Sequence, residues 1–172
     1  MHDGEMVLET ARTRLLRLKT EDRAFILSLV NDPSFIENIG DRGVRTLSDA
    51  EAYIKRVTDS YERHGFGLYR VELKGSKESI GICGLVKRDT LVEPDVGFAF
   101  LPKFWLTGYA VETAQAVLDY ARDVLKMKRV LGITSPKNIG SVRVLEKIGL
   151  KFDGITKLAG DDKDVKLFSI DF

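Results

Sequence analysis

Residues 95–114 read DVGFAFLPKFWLTGYAVETA. The first seven, DVGFAFL, are rich in valine and phenylalanine, which predicts a strand. From Ala110 the pattern changes. Ala110, Ala114, Val117, Leu118, Ala121, Val124 and Leu125 recur every three or four residues, one apolar stripe of a helix over 108–126. Lys126 and Lys128 then fall where cations complement the end of the helix dipole. Gly108 therefore stands directly at the mouth of a long helix. The first turn of a helix has N–H groups without intrahelical partners, and a tight glycine turn aims further N–H groups at the same point. Such a junction suits a phosphate or diphosphate. The plainer alternative is an ordinary strand-to-helix turn with Thr107 as N-cap.

Working outward, 172 residues with 44% hydrophobic content are enough for one core, so a single domain over 1–172 is expected. No segment is apolar enough to span a membrane. The acidic, polar start MHDGEMVLE resembles neither a signal nor a transit peptide. A lone cysteine forms no internal disulfide, and the expected compartment is the cytoplasm. A net charge of +1, with no basic stripe, points away from nucleic acid and membrane surfaces. His2, His64 and Cys83 cannot make a zinc site of the usual nitrogen and sulfur type, and no metal is expected. Cys83 lies in the apolar run ICGLV and reads as a small buried hydrophobe.

Residues 13–19 alternate as a strand, and Thr20, Glu21 and Asp22 start a helix that stops at Asn31-Asp32-Pro33. Residues 34–46 read as an irregular connection, with room for a short helix. Ser48 and Glu51 form a capping box for a second helix that ends at Gly65. Strands at 67–73 and 79–86 form a hairpin across KGSKE. A polar connection at 87–94 leads to the strand at 95–101. After the long helix come a strand at 129–134, a short helix from about Ile139 to Ile148, and two tail strands joined at GDDKD. This order predicts an α/β fold with a mixed, mostly antiparallel sheet and flanking helices. Gly97, inside an apolar strand, marks a bulge or a close backbone approach in the central strand.

Four segments together resemble the GNAT superfamily of N-acetyltransferases. WLTGYA resembles its Q/R-x-x-G-x-G/A motif at Gly108 and Ala110, and more closely the W-G-K-G-Y-A-T-E-A form of the Rim-type subgroup, which acetylates ribosomal-protein N-termini. Leu106 and Thr107 replace the Gly and Lys of that form. LETARTRLLRLKTED, GFGLYRVELKGSKESIGICGLV with DVGFAFLPKFW, and SPKNIGSVRVLEKIGLKFDG are similar to the subgroup's remaining segments. The resemblance runs from about residue 8 to the C-terminus.

It implies a fold with a bulged, splayed central strand. It also implies transfer of an acetyl group from acetyl-CoA to an amine, a protein N-terminus or a small molecule, by direct attack in a ternary complex. Backbone N–H groups of Trp105, Leu106, Thr107, Gly108, Tyr109 and Ala110 would hold the diphosphate. Phe98, Ala99 and Phe100 would line the channel for the pantetheine arm, or the phenylalanines would simply pack in the core. Asn138 is a helix N-cap by its own sequence and a cofactor contact by the resemblance. Ser141 would give a proton to the departing thiolate, because Leu145 stands where other members carry a tyrosine. Asp95 would take the acceptor's proton, with Glu93 or bulk water as alternatives. Glu112 reads as a dipole partner only. A CoA-binding module without chemistry is the competing reading. A monomer or a homodimer is expected.

Overall fold

The structure is a computed structural model that describes residues 4–172, so His2 and the first residues of the acidic start lie outside the described residues. The strands are β1 (Met6–Glu9), β2 (Thr13–Arg17), β3 (Leu68–Leu73), β4 (Ser79–Val86), β5 (Asp95–Phe100), β6 (Arg129–Thr134), β7 (Lys151–Lys157) and β8 (Asp164–Asp171). The helices are α1 (Arg23–Val30), α2 (Pro33–Asn38), α3 (Leu47–His64), α4 (Tyr109–Asp123) and α5 (Ile139–Lys147). All eight strands form one sheet in the order β1-β2-β3-β4-β5-β6-β8-β7. Every neighbouring pair is antiparallel except β5 and β6. The mixed, mostly antiparallel α/β sheet read from the sequence is the one observed.

Each face of the sheet carries its own core. On one, Val117, Leu118 and Ala121 of α4 and Leu145 of α5 pack against Val71, Val96 and Phe168. On the other, Ile26 and Leu29 of α1, Phe35 of α2, and Tyr53 and Ile54 of α3 pack against Ile82. Full burial of a Val or Leu side chain contributes about 1.5–3 kcal/mol, so the apolar stripe of α4 is what fixes that helix to the sheet. Cys83 is completely buried there, and burial pushes its thiol pKa up to about 12.

Several boundaries differ from the sequence reading. β1 is an additional strand: MVLE is too short to show a period, and it exists by pairing with β2. The residues after Asp32 continue directly into α2, with Pro33 at its first position and the Asp32 side chain accepting from the Ser34 N–H. Asp-Pro is thus a helix start as well as a stop. The capping box of α3 is Thr46 with Asp49, two residues earlier than Ser48 with Glu51. Gly97 marks no bulge, because β4 and β5 pair without a register shift from Gly81↔Phe100 to Val86↔Asp95. A Cβ on Gly97 would meet only ordinary contacts at 3.6 Å, whereas one on Gly84 would lie 2.0 Å from the Gly67 carbonyl oxygen. Close backbone approaches therefore lie at Gly84, against Gly67 just before β3, and at Gly81, where a Cβ would stand 2.3 Å from the Ala99 carbonyl oxygen of β5.

Candidate active site

The irregularity of β5 lies on its other side. β5 and β6 share the single partner pair Asp95↔Leu131, supported by the Leu131 N–H donating to the Pro94 carbonyl at 2.9 Å. Beyond that pair the two parallel strands part and leave a cleft. The Leu101 N–H donates to Ile80 of β4. By the two-residue alternation of an antiparallel ladder, the backbone groups of Phe98 and Phe100 then face the open side. The Phe100 carbonyl accepts from Trp105 Nε1 at 2.8 Å. The Phe98 main chain and the Phe100 N–H are left facing the gap, where an extended ligand can satisfy them.

The cleft has a volume of about 450 Å³, within the range usual for small-molecule sites, and all of Phe98, Ala99 and Phe100 line it. The Phe98 and Phe100 side chains also pack in the α4-side core, so these aromatics both line the cleft and contribute to the core.

One end of the cleft is the loop before α4. Gly108 is the N-cap, with φ +86° and ψ 0°, and no side chain caps the helix. Thr107 does not cap it; its hydroxyl turns back to the Phe104 carbonyl at 2.6 Å. The first helical bond runs from Glu112 N–H to Gly108 O. The Trp105 N–H is occupied by the Pro102 carbonyl at 3.1 Å, so Trp105 leaves the set of diphosphate donors named from sequence. The N–H groups of Leu106 to Ala110 remain, gathered at the positive end of a 15-residue helix. Leu106 also has a positive φ, +61°, and is fully exposed. A glycine would hold that conformation without strain, and leucine does not.

The opposite wall is the start of α5. Asn138 is its N-cap: Oδ1 accepts from the Ser141 N–H at 3.1 Å and Nδ2 donates to the Ser141 hydroxyl oxygen at 3.0 Å. Both residues line the cleft, so the cap also forms part of its wall. With its oxygen already accepting, the Ser141 hydroxyl has its own hydrogen free to donate outward. Leu145 is buried in the core.

Asp95 has a different setting from the one the sequence suggests. It is 1% exposed and accepts from Arg88 Nε at 2.9 Å. Burial raises its pKa against the opposing pull of the Arg88 charge. It does not line the cleft, and it lies three residues, about 10 Å, along the strand from Phe98. Glu93 does not line the cleft either. The carboxylate that does is Asp32, at the N-terminus of α2. Both hydrogen bonds that the Asp32 carboxylate accepts, from the N–H and hydroxyl of Ser34, go to Oδ1. Arg143 and Lys147, one turn apart on α5, bring positive charge to the same space. None of these three was singled out from sequence. The signals were present in the Asp-Pro-Ser helix start and in the i, i+4 spacing of Arg143 and Lys147.

Among the described residues there is no group of three or more His, Cys, Asp or Glu able to hold a metal, and no helix long and apolar enough to cross a membrane.

Residues 12–151 match the model of the acetyltransferase (GNAT) domain. The chain is 29% identical over 153 residues to the uncharacterised N-acetyltransferase YnaD of Bacillus subtilis, covering 88% of this chain and 86% of that one. The crystal structure of an acetyltransferase from Agrobacterium tumefaciens superposes with a TM-score of 0.84 at 23% identity, covering 100% of this chain and 98% of the other. RimL, a ribosomal L7/L12 α-N-protein acetyltransferase solved with coenzyme A, gives a TM-score of 0.82 at 16% identity, with 98% of each chain covered. At these identities the two structures share the fold.

Proposed function

The chain belongs to the GNAT acetyltransferase family, and from that premise we propose that it transfers the acetyl group of acetyl-CoA to a primary amine by direct attack in a ternary complex. The observation that carries this reading is the uncapped N-terminus of α4, whose free amides from Leu106 to Ala110 border a cleft walled by the unpaired edge of β5. The diphosphate binds those amides, with Arg143 and Lys147 adding charge attraction. The pantetheine arm runs along the main chain of Phe98 and Phe100, past Asn138. The acceptor enters on the α1–α2 side, between Leu29, Phe35 and Ile39.

Two proton movements accompany the transfer. The attacking nitrogen must be a free amine, while α-amino and alkyl ammonium groups have reference pKa values of about 7.7–8.0 and 10.4. We assign removal of that proton to Asp32, directly or through one water, in place of the ion-paired Asp95. As the C–N bond forms and the C–S bond breaks, the Ser141 hydroxyl hydrogen is placed to stabilise and protonate the departing thiolate. The acceptor class is a primary amine, a protein N-terminus or a small molecule. The compartment that supplies acetyl-CoA and keeps Cys83 reduced is the cytosol.

The competing reading, a CoA-binding module without chemistry, requires that Asp32 and Ser141 move no proton, since Asp95 is sequestered in its ion pair. A thiol-release assay separates the two. With acetyl-CoA and a panel of N-terminal peptides, polyamines, amino acids and aminoglycosides, at least one amine is expected to give thiol release well above acceptor-free hydrolysis. Tight CoA binding with no release across the panel would favour the binding module.

A further inference from the structure

We propose that Arg12, in the turn between β1 and β2, is a positioning residue that holds the amides of residues 106–110 in their anion-binding arrangement. The proposal rests on reading that loop as the diphosphate site. Arg12 grips the junction on both sides of Gly108. Its Nη2 donates to the Thr107 carbonyl at 3.0 Å, and its Nε donates to Glu112 Oε1 at 2.9 Å. The Arg12 backbone N–H reaches Glu112 Oε2 at 3.2 Å, and the Thr10 hydroxyl donates to the same oxygen at 2.6 Å. The guanidinium carbon stands 4.2 Å from the centroid of the Tyr109 ring, which meets Phe104 edge-on.

The geometry matters because a trans peptide unit is planar, with its C=O and N–H pointing opposite ways. A guanidinium that fixes the Thr107 carbonyl therefore fixes the direction of the Gly108 N–H as well. Arg12 does not line the cleft, whereas Gly108 does, so the grip is from behind and the N–H is turned toward the ligand side. Glu112 ties the same arginine to the first turn of α4. Burial works to raise the Glu112 pKa, but the hydrogen bonds from Thr10 and Arg12 outweigh it and leave it lowered. The ion pair itself is partly solvent-exposed, at 44% and 22% of the two side chains, so solvent screening keeps its contribution to global stability modest. Its consequence is local.

The test is calorimetric titration of the parent, Arg12→Ala, Arg12→Lys and Glu112→Gln with coenzyme A and, separately, with pantetheine, which lacks the diphosphate. Arg12→Ala is expected to weaken coenzyme A about tenfold, the scale of one misaligned charge-assisted hydrogen bond. Pantetheine binding and the melting temperature should stay close to the parent. Arg12→Lys should recover only part of the loss, because an ammonium cannot bond the Thr107 carbonyl and Glu112 in the same fork. In steady-state assays the loss should fall on KM for acetyl-CoA and leave kcat within about twofold, since the interaction is lost from ground and transition state alike. Adding Glu112→Gln to Arg12→Ala should cost nothing further, as expected for partners in one network. Coenzyme A affinity unchanged in both Arg12 variants would overturn the positioning role while leaving the cofactor site intact. Absence of coenzyme A binding in the parent would overturn the site reading as a whole.

Discussion

Gly108→Val is expected to leave a folded protein that has lost coenzyme A affinity about a hundredfold. A β-branched residue in the left-handed region costs roughly 1–2 kcal/mol, so valine drives the loop out of φ +86°. Its Cβ would stand 3.2 Å from Arg12 Nη2, displacing the group that holds the Thr107 carbonyl. The amides of residues 106–110 then no longer converge, and with about 1.4 kcal/mol per tenfold of affinity the combined loss reaches two decades. The turn is on the surface and the core beneath it is unchanged, so the melting transition should remain cooperative. Titration calorimetry of a variant verified as folded makes the check. Affinity equal to the parent's would remove the diphosphate from this loop.

The second large effect concerns the acceptor's proton. Asp32→Asn should lower kcat/KM for the acceptor by about 10²–10⁴-fold at low pH, the range for a positioned general base. Raising the pH should recover part of the loss, because more acceptor arrives as free amine. The substitution is clean: asparagine caps a helix about as well as aspartate, so the bond from the Ser34 N–H survives while the charge is lost. Asp95→Asn should act differently. The buried carboxyl has a raised pKa, so its charged form carries a burial penalty that is relieved on protonation. That contribution to stability is greatest below the unfolded pKa and is lost as pH rises through the folded one. Removing the carboxyl should therefore change melting behaviour with pH while leaving the shape of the pH–rate profile intact. The opposite pattern, a pH-rescued loss in Asp95→Asn and a parental profile in Asp32→Asn, would return the proton to Asp95.

The long helix and the strand before it were legible in sequence because one apolar stripe packs on one sheet face. Residues 110–125 carry a period that no local alternative satisfies. β1 was not legible, since four residues fix no period and the strand is made by its neighbour. The box of α3 was misplaced by two residues because Thr46-x-x-Asp49 and Ser48-x-x-Glu51 both satisfy the pattern, and only the extended backbone at Thr46 decides between them. Gly108 and Asn138 were found because each is a local signal with a local cause. Asp32 was read as a helix stop, and its place in the cleft depends on how α2 turns over the sheet. Arg12 gave no signal, because its partners lie 95 and 100 residues along the chain.

The most direct measurement is an amide chemical-shift titration of the protein with acetyl-CoA. Saturating shifts, with one common Kd, are expected in the amides of Leu106 to Ala110, in Phe98 and Phe100 of β5, and in Asn138 and Ser141. Shifts confined to the other face of the sheet, or no saturable shift at all, would contradict the proposed cofactor site.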